Sequence, residues 1–280
     1  MNRVFLLVLI LWIVPIKSQQ TRATAKEAVC ITGSHLEKGN NMAYHLSTIA
    51  DYLQTQNYKV HRFYDPNNDW DAIKKASLNA SLIVYQGHGT NLGIDPGFGG
   101  MVVKDFISGK QIASELKVNL NPLVIYLSAC GGAGSSAGDV TDIGVEVAKK
   151  RVLGSALPFL LAGARGYYAT NYYTEILSFV KKWINHKTLN ACYLESTSPW
   201  CTIVSNAPVE DPRINPGYMH AISATEDRHV YSIPTTKEGK TSAKLLCRYN
   251  TYDIAYLGDP LLTVDHTLKK KSLYMAPKVK

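Results

Sequence analysis

The sequence predicts an α/β fold: a mainly parallel sheet with helices on both faces and short antiparallel additions toward the C-terminus. Three observations carry that prediction. Short apolar runs alternate with longer segments whose apolar residues recur at helical spacing, the pattern of βαβ units. Two of those runs, 82–86 and 123–127, are apolar or aromatic at nearly every position and end in glycine-rich turns, as buried strands do. Beyond Asn185 the alternation weakens and five prolines fall between 199 and 234, which points to loops and short strands packed on the main sheet.

The first residues stand apart from the fold. Met1-Asn2-Arg3 is a basic start, 4–16 is a nearly unbroken apolar stretch, and Ile16-Lys17-Ser18 is a loose cleavage site, so 1–18 is expected to be a signal peptide. At about 1.5 Å per residue the apolar stretch reaches only about 20 Å, short of the ~30 Å hydrocarbon core. The mature chain, 19–280, is then expected to be secreted, periplasmic or held at the cell surface, with no stable membrane anchor.

The core spans 28–186. A strand at 28–32 is followed by a helix at 41–53 with Met42, Leu46, Ile49 and Leu53 on one face, then a strand at 58–63 and a helix at 69–77 capped by Asp69. The run at 82–86 leads into a Gly/Pro-rich loop, a hairpin near 101–106, a helix over 108–116 and the run at 123–127. Two helices at 142–153 and 155–161, a strand at 166–170 and a helix at 173–184 complete the alternation. A loop-rich addition (187–255), a terminal segment (256–266) and a basic tail (267–280) follow. No internal repeat or long linker argues for a second domain.

The formal charge is +8, and much of the excess is Lys269, Lys270, Lys271, Lys278 and Lys280. Without a basic patch interleaved with aromatics, no nucleic-acid partner is expected. The five cysteines, at 30, 130, 192, 201 and 247, are an odd number, so export leaves at least one unpaired if pairing is internal. Cys130 is the candidate; Cys192 and Cys201 flank a short loop and fit a disulfide, and Cys30 and Cys247 are a second pair or buried thiols. No His/Cys spacing suggests a metal site. Asn79-Ala80-Ser81 matches the glycosylation acceptor pattern, which is short enough to arise by chance.

The chemistry concentrates where the two apolar runs end. Leu82-Ile-Val-Tyr-Gln-Gly-His88-Gly89 and Leu123-Val-Ile-Tyr-Leu-Ser-Ala-Cys130-Gly131 share one design. If they are adjacent parallel strands, His88 and Cys130 meet at the edge where open sheets bind ligands. A cysteine is nucleophilic as its thiolate, which a neighbouring imidazolium favours, and backbone N–H groups of Gly89 and Cys130 would receive an oxyanion. Either residue alone would read as a packed thiol or a loop histidine; the repeated architecture argues otherwise. The glycine spacing 87–93 also resembles a nucleotide-binding loop, but Pro96, Gly97, Gly99 and Gly100 forbid the helix such a loop must open.

Gly87-His88-Gly89 and Ser128-Ala129-Cys130-Gly131, each closing an apolar strand, resemble the catalytic dyad of the caspase-like cysteine peptidases, the group of caspases, legumains, clostripain, gingipains and CHAT domains. The stretch 159–169 is similar to the helix-to-strand passage after the nucleophile in CHAT and gingipain domains, and Tyr256-Leu-Gly-Asp-Pro-Leu262 to a segment near the end of gingipain catalytic domains. The resemblance implies a caspase-haemoglobinase fold and an exported endopeptidase that cuts peptide or protein substrates with His88 and Cys130, needing no cofactor; calcium dependence is left open. It also implies that the residue two before the nucleophile, here Ser128, helps build the primary specificity pocket. With Gly87 and Tyr172 as further walls, that pocket is expected to be uncharged and to prefer neutral or small side chains, unless a loop acid such as Asp65, Asp95 or Asp139 reaches in. The alternative is a catalytically inactive relative that keeps the fold as a regulatory binding module.

Overall fold

In a computed structural model, residues 26–34, 42–89, 99–136, 139, 141–171, 173–197, 201–234 and 241–269 are described. The side chains of 42–43, 173–175, 227–234 and 241–249 lie outside that description. So do the expected leader, Tyr172, Asp95 and most of the basic tail.

The described elements run β1 (Glu27–Thr32), α1 (Met42–Thr55), β2 (Lys59–Phe63), α2 (Trp70–Ser77), β3 (Leu82–Gln86), β4 (Met101–Val102), β5 (Phe106–Ile107), α3 (Gly109–Glu115), β6 (Leu123–Leu127), α4 (Val145–Ala162), β7 (Gly166–Thr170), α5 (Tyr173–Ile184), α6 (Leu189–Ser196), β8 (Cys201–Pro208), β9 (Met219–Pro234), β10 (Thr241–Gly258) and α7 (Val264–Thr267). Asp69 caps α2 by accepting the Ala72 N–H at 3.0 Å, and Ser108 with Gln111 forms a capping box at α3.

One sheet orders these strands β2-β1-β3-β6-β7-β10-β9-β8. The five from β2 to β7 are parallel; β10, β9 and β8 add antiparallel. β3, β6 and β7 are buried at every position because both faces are covered. Successive side chains point to opposite faces, so Ile83, Tyr85, Val124 and Tyr126 join a core with Ile73, Ile112 and Val152 from α2, α3 and α4. Leu82, Val84, Leu123 and Ile125 join the other, with Leu46 and Leu53 of α1, Phe179 and Trp183 of α5, and Tyr193 of α6. Among the described residues no helix is long and apolar enough to cross a membrane.

Three expectations are corrected. The segments 142–153 and 155–161 form one helix, α4, that continues through Gly154 and Pro158. A proline inside a helix cannot donate to the carbonyl four residues earlier, here that of Gly154; the Gly99 N–H takes that place at 2.9 Å. The antiparallel additions are not short: β8, β9 and β10 have 8, 16 and 18 residues. Pro208 and Pro234 close strands rather than interrupt them, and 256–258 completes β10 before the Asp259 turn. Third, Cys192 is a free thiol, so the expected Cys192–Cys201 disulfide is not formed. Cys192 is buried among α5 and α6, while Cys201 Sγ lies 3.1 Å from Thr225 Oγ1, its neighbour in register on β9. Burial pushes the Cys192 and Cys30 thiols up to about 12.

Candidate active site

β3 and β6 are adjacent and parallel, with Gln86 opposite Leu127. Continuing that register brings Gly89 onto Cys130. A Cβ at Gly89 would overlap the Cys130 carbonyl oxygen and lie 2.9 Å from its nitrogen; only glycine permits the two strand ends to close so tightly. His88, exposed, and Cys130, half-buried, are therefore carried by one sheet edge. Gly89 also pairs with Met101 in an antiparallel bridge, tying the turn to the β4–β5 hairpin.

Beneath this edge, tyrosines on three neighbouring strands hold the loops. The Tyr85 hydroxyl donates to the His88 carbonyl at 2.8 Å and accepts the Val102 N–H at 3.1 Å. Tyr126 donates to the Gly100 carbonyl at 2.6 Å and Tyr167 to the Gly132 carbonyl at 3.1 Å. The Tyr126 ring lies 4.8 Å from that of Tyr85 and 5.8 Å from that of Tyr167. Burial raises all three phenols above their usual range, so they stay neutral donors. Sequence reasoning passed over them, although Tyr85 and Tyr126 occupy the fourth position of both apolar runs.

The turn after β6 is held from several sides. Ser128 adopts φ 52°, and its N–H donates to the Thr170 carbonyl at 3.0 Å. The Gly131 N–H donates to Ser135 and the Gly132 N–H to Ala129, each at 2.8 Å. Ser135 is bonded to Tyr252 of β10 in both directions, its N–H to the Tyr252 carbonyl at 3.0 Å and its Oγ from the Tyr252 N–H at 2.6 Å. Arg151 of α4 forks onto Asp139 at 2.7 and 3.0 Å and reaches the Gly134 carbonyl at 3.2 Å. This nearly buried pair anchors the far end of the turn, where Asp139 also accepts the Ser136 N–H at 2.7 Å.

Beside the thiol opens a cleft of about 290 Å³, lined by Ser128, Cys130, Ser135, Ser136, Asn171, Thr251 and Asp253. Ser128 thus lines it, as does Asn171 just past β7. Gly87 is buried, its Cα facing Gly33 and the Tyr85 hydroxyl, and is not among the lining residues; Tyr172 lies outside the described residues. Asp253 is the one acidic residue among those that line the cleft. Of the loop acids considered, Asp139 is engaged by Arg151, and Asp65 accepts from Ser34 Oγ at 2.6 Å, beyond β1. The signal for Asp253 was an acid set in the apolar run Tyr252-Asp253-Ile-Ala-Tyr-Leu, since a buried polar residue is more informative than an exposed one. Among the described residues no group of three or more His, Cys, Asp or Glu side chains could hold a metal ion. Comparison with protein-family models and with curated proteins finds no match to the chain.

Proposed function

We propose that the protein is an exported cysteine endopeptidase of caspase-haemoglobinase type, with Cys130 as nucleophile and His88 as general acid and base. One observation carries the reading: Gly89 sits against the Cys130 backbone, so the residue after the histidine and the residue bearing the thiol share one edge beside a cleft. The Cys130 thiolate attacks the scissile carbonyl carbon, forming a C–S bond as the carbonyl π electrons move onto oxygen. Protonated His88 gives its proton to the amine as the C–N bond breaks, leaving a thioester. Water, deprotonated by His88, then displaces the thiolate. The Gly131 and Gly132 N–H groups already have acceptors, so the oxyanion is assigned to the N–H groups of Cys130 and Gly89.

The test is labelling of the mature protein with a peptidyl chloromethyl ketone, followed by mass mapping and a peptide-library digest. Modification of Cys130 alone is expected, with no turnover by Cys130→Ala and a loss of about 10²–10⁴-fold in His88→Ala. Cleavage by Cys130→Ala would place the nucleophile elsewhere. A folded parent that neither labels nor cleaves would instead be the binding module.

A further inference from the structure

We infer that Asn79 is a modification site whose side-chain amide carries an N-linked oligosaccharide, at the edge of the sheet opposite Cys130. The inference rests on the export part of the proposed function and not on the chemistry of Cys130. Asn79 lies exposed in the turn between α2 and β3, with Ala80 and Ser81, the rest of the acceptor triplet, buried behind it. His88 and Cys130 follow the C-terminal ends of β3 and β6, whereas Asn79 precedes β3 and its neighbour Asn119 precedes β6. The five residues of β3, at about 3.3 Å each, hold the two edges roughly 16 Å apart. A bulky glycan on Asn79 therefore stands clear of the cleft.

The local bonding suits the modification. Asn79 Oδ1 accepts from Asn119 Nδ2 at 3.0 Å, and a glycosylated amide keeps that oxygen, so the contact survives while Nδ2 takes the sugar. In the transfer, Nδ2 forms a bond to the anomeric carbon of an oligosaccharide carried on a polyisoprenyl diphosphate. The bond from that carbon to the diphosphate oxygen breaks, its electron pair leaving with the diphosphate, and an N–H proton passes to a base of the transferase. Leu78, next in the turn, is 37 % exposed, and the C–H face of the first sugar ring shields such an apolar side chain from water. Ser81 fixes the order of events. It is 1 % exposed, and both its N–H and its Oγ donate to the Glu27 carbonyl, at 2.9 and 3.2 Å. A transferase reads that hydroxyl together with Asn79, so it must act before β3 docks beside β1, on the chain in transit.

The experiment expresses the full chain with its own leader in cultured animal cells, whose secretory pathway supplies the transferase and the sugar donor. Protein from the medium is treated with peptide N-glycosidase, which releases the glycan and leaves aspartate in place of the asparagine, and is then mass-mapped. A fall in mass on treatment and aspartate at position 79 are expected. Asn79→Gln should abolish the shift, and so should Ser81→Ala, which keeps the asparagine and removes only the hydroxyl; both are read in the cell lysate as well, should a variant fold poorly. Secreted parent with an unmodified Asn79 would overturn the assignment. Parent that stays in the cell without crossing the membrane would overturn the export reading instead, and the same chain behind a foreign leader then decides the site alone: a glycan at Asn79 upholds it and bare Asn79 overturns it. Glycosylated parent and Asn79→Gln should be labelled at Cys130 at equal rates. Slower labelling of the glycosylated form would overturn the placement clear of the cleft, whereas a glycan on a protein that labels in neither form would uphold the site and fault the peptidase reading.

Discussion

Ser128 shows how the nucleophile's turn is strained at a single residue. Its φ of 52° lies where a side chain with a Cβ costs roughly 1–2 kcal/mol, and the Thr170 carbonyl holds it there. Glycine tolerates that conformation but adds unfolded-state entropy worth roughly 0.5–1 kcal/mol. Ser128→Gly should therefore gain a net stability of about 0.5–1 kcal/mol, read as a higher urea midpoint at an unchanged slope. A lower midpoint would mean that the hydroxyl contributes more than the strain costs. His88 and Cys130 were legible because their setting is local: an apolar strand and glycines within a few positions. The conformation of Ser128 and the place of Asp253 beside the cleft were not, since one is imposed by β7 and the other by a register shift between β9 and β10.

At the scale of elements, α4 explains why glycine and proline misled. Both are ordinary helix breakers, yet here Pro158 frees the Gly154 carbonyl and the Gly99 N–H occupies it. A Cβ at Gly99 would lie 2.9 Å from the Ser155 Cα and 3.0 Å from the Gly154 oxygen, backbone atoms that cannot swing aside. Gly99→Ala should cost about 1–3 kcal/mol, the penalty for a buried carbonyl left unpaired, measured by chemical denaturation. Adding Pro158→Ala restores an internal donor to Gly154 and should recover part of the loss; no recovery would show that steric overlap alone is at work. The parallel strands and their covering helices were read within a few residues because each is a contiguous apolar run or a helical period. The long β9–β10 pair was missed because its stability comes from pairing across the chain, with no apolar run along most of its length.

Across the whole molecule, the candidate site lies on the seam where the parallel half of the sheet meets the antiparallel half. Ser128 and Cys130 come from one side, Thr251 and Asp253 from the other, so the cleft depends on β10 and β9 keeping their register. His220 of β9 makes that half sensitive to acid. It is buried, its Nε2 has no hydrogen-bond partner among the described residues, and burial, with a smaller push from the Lys149 charge, lowers its pKa from 6.5 to about 4. Between those values the unfolded chain binds a proton that the folded one refuses. Stability tied to His220 is thus complete above about pH 6.5 and declines as pH falls toward 4, by on the order of 3 kcal/mol in total. Carboxylates held below their ordinary range, such as Glu27 and Asp142, release their contribution only at lower pH, so the histidine's share can be isolated. The urea midpoint of the parent should fall between pH 7 and pH 5, and His220→Leu should flatten that slope while leaving the decline below pH 4. An identical slope in the variant would show that another group takes up the proton.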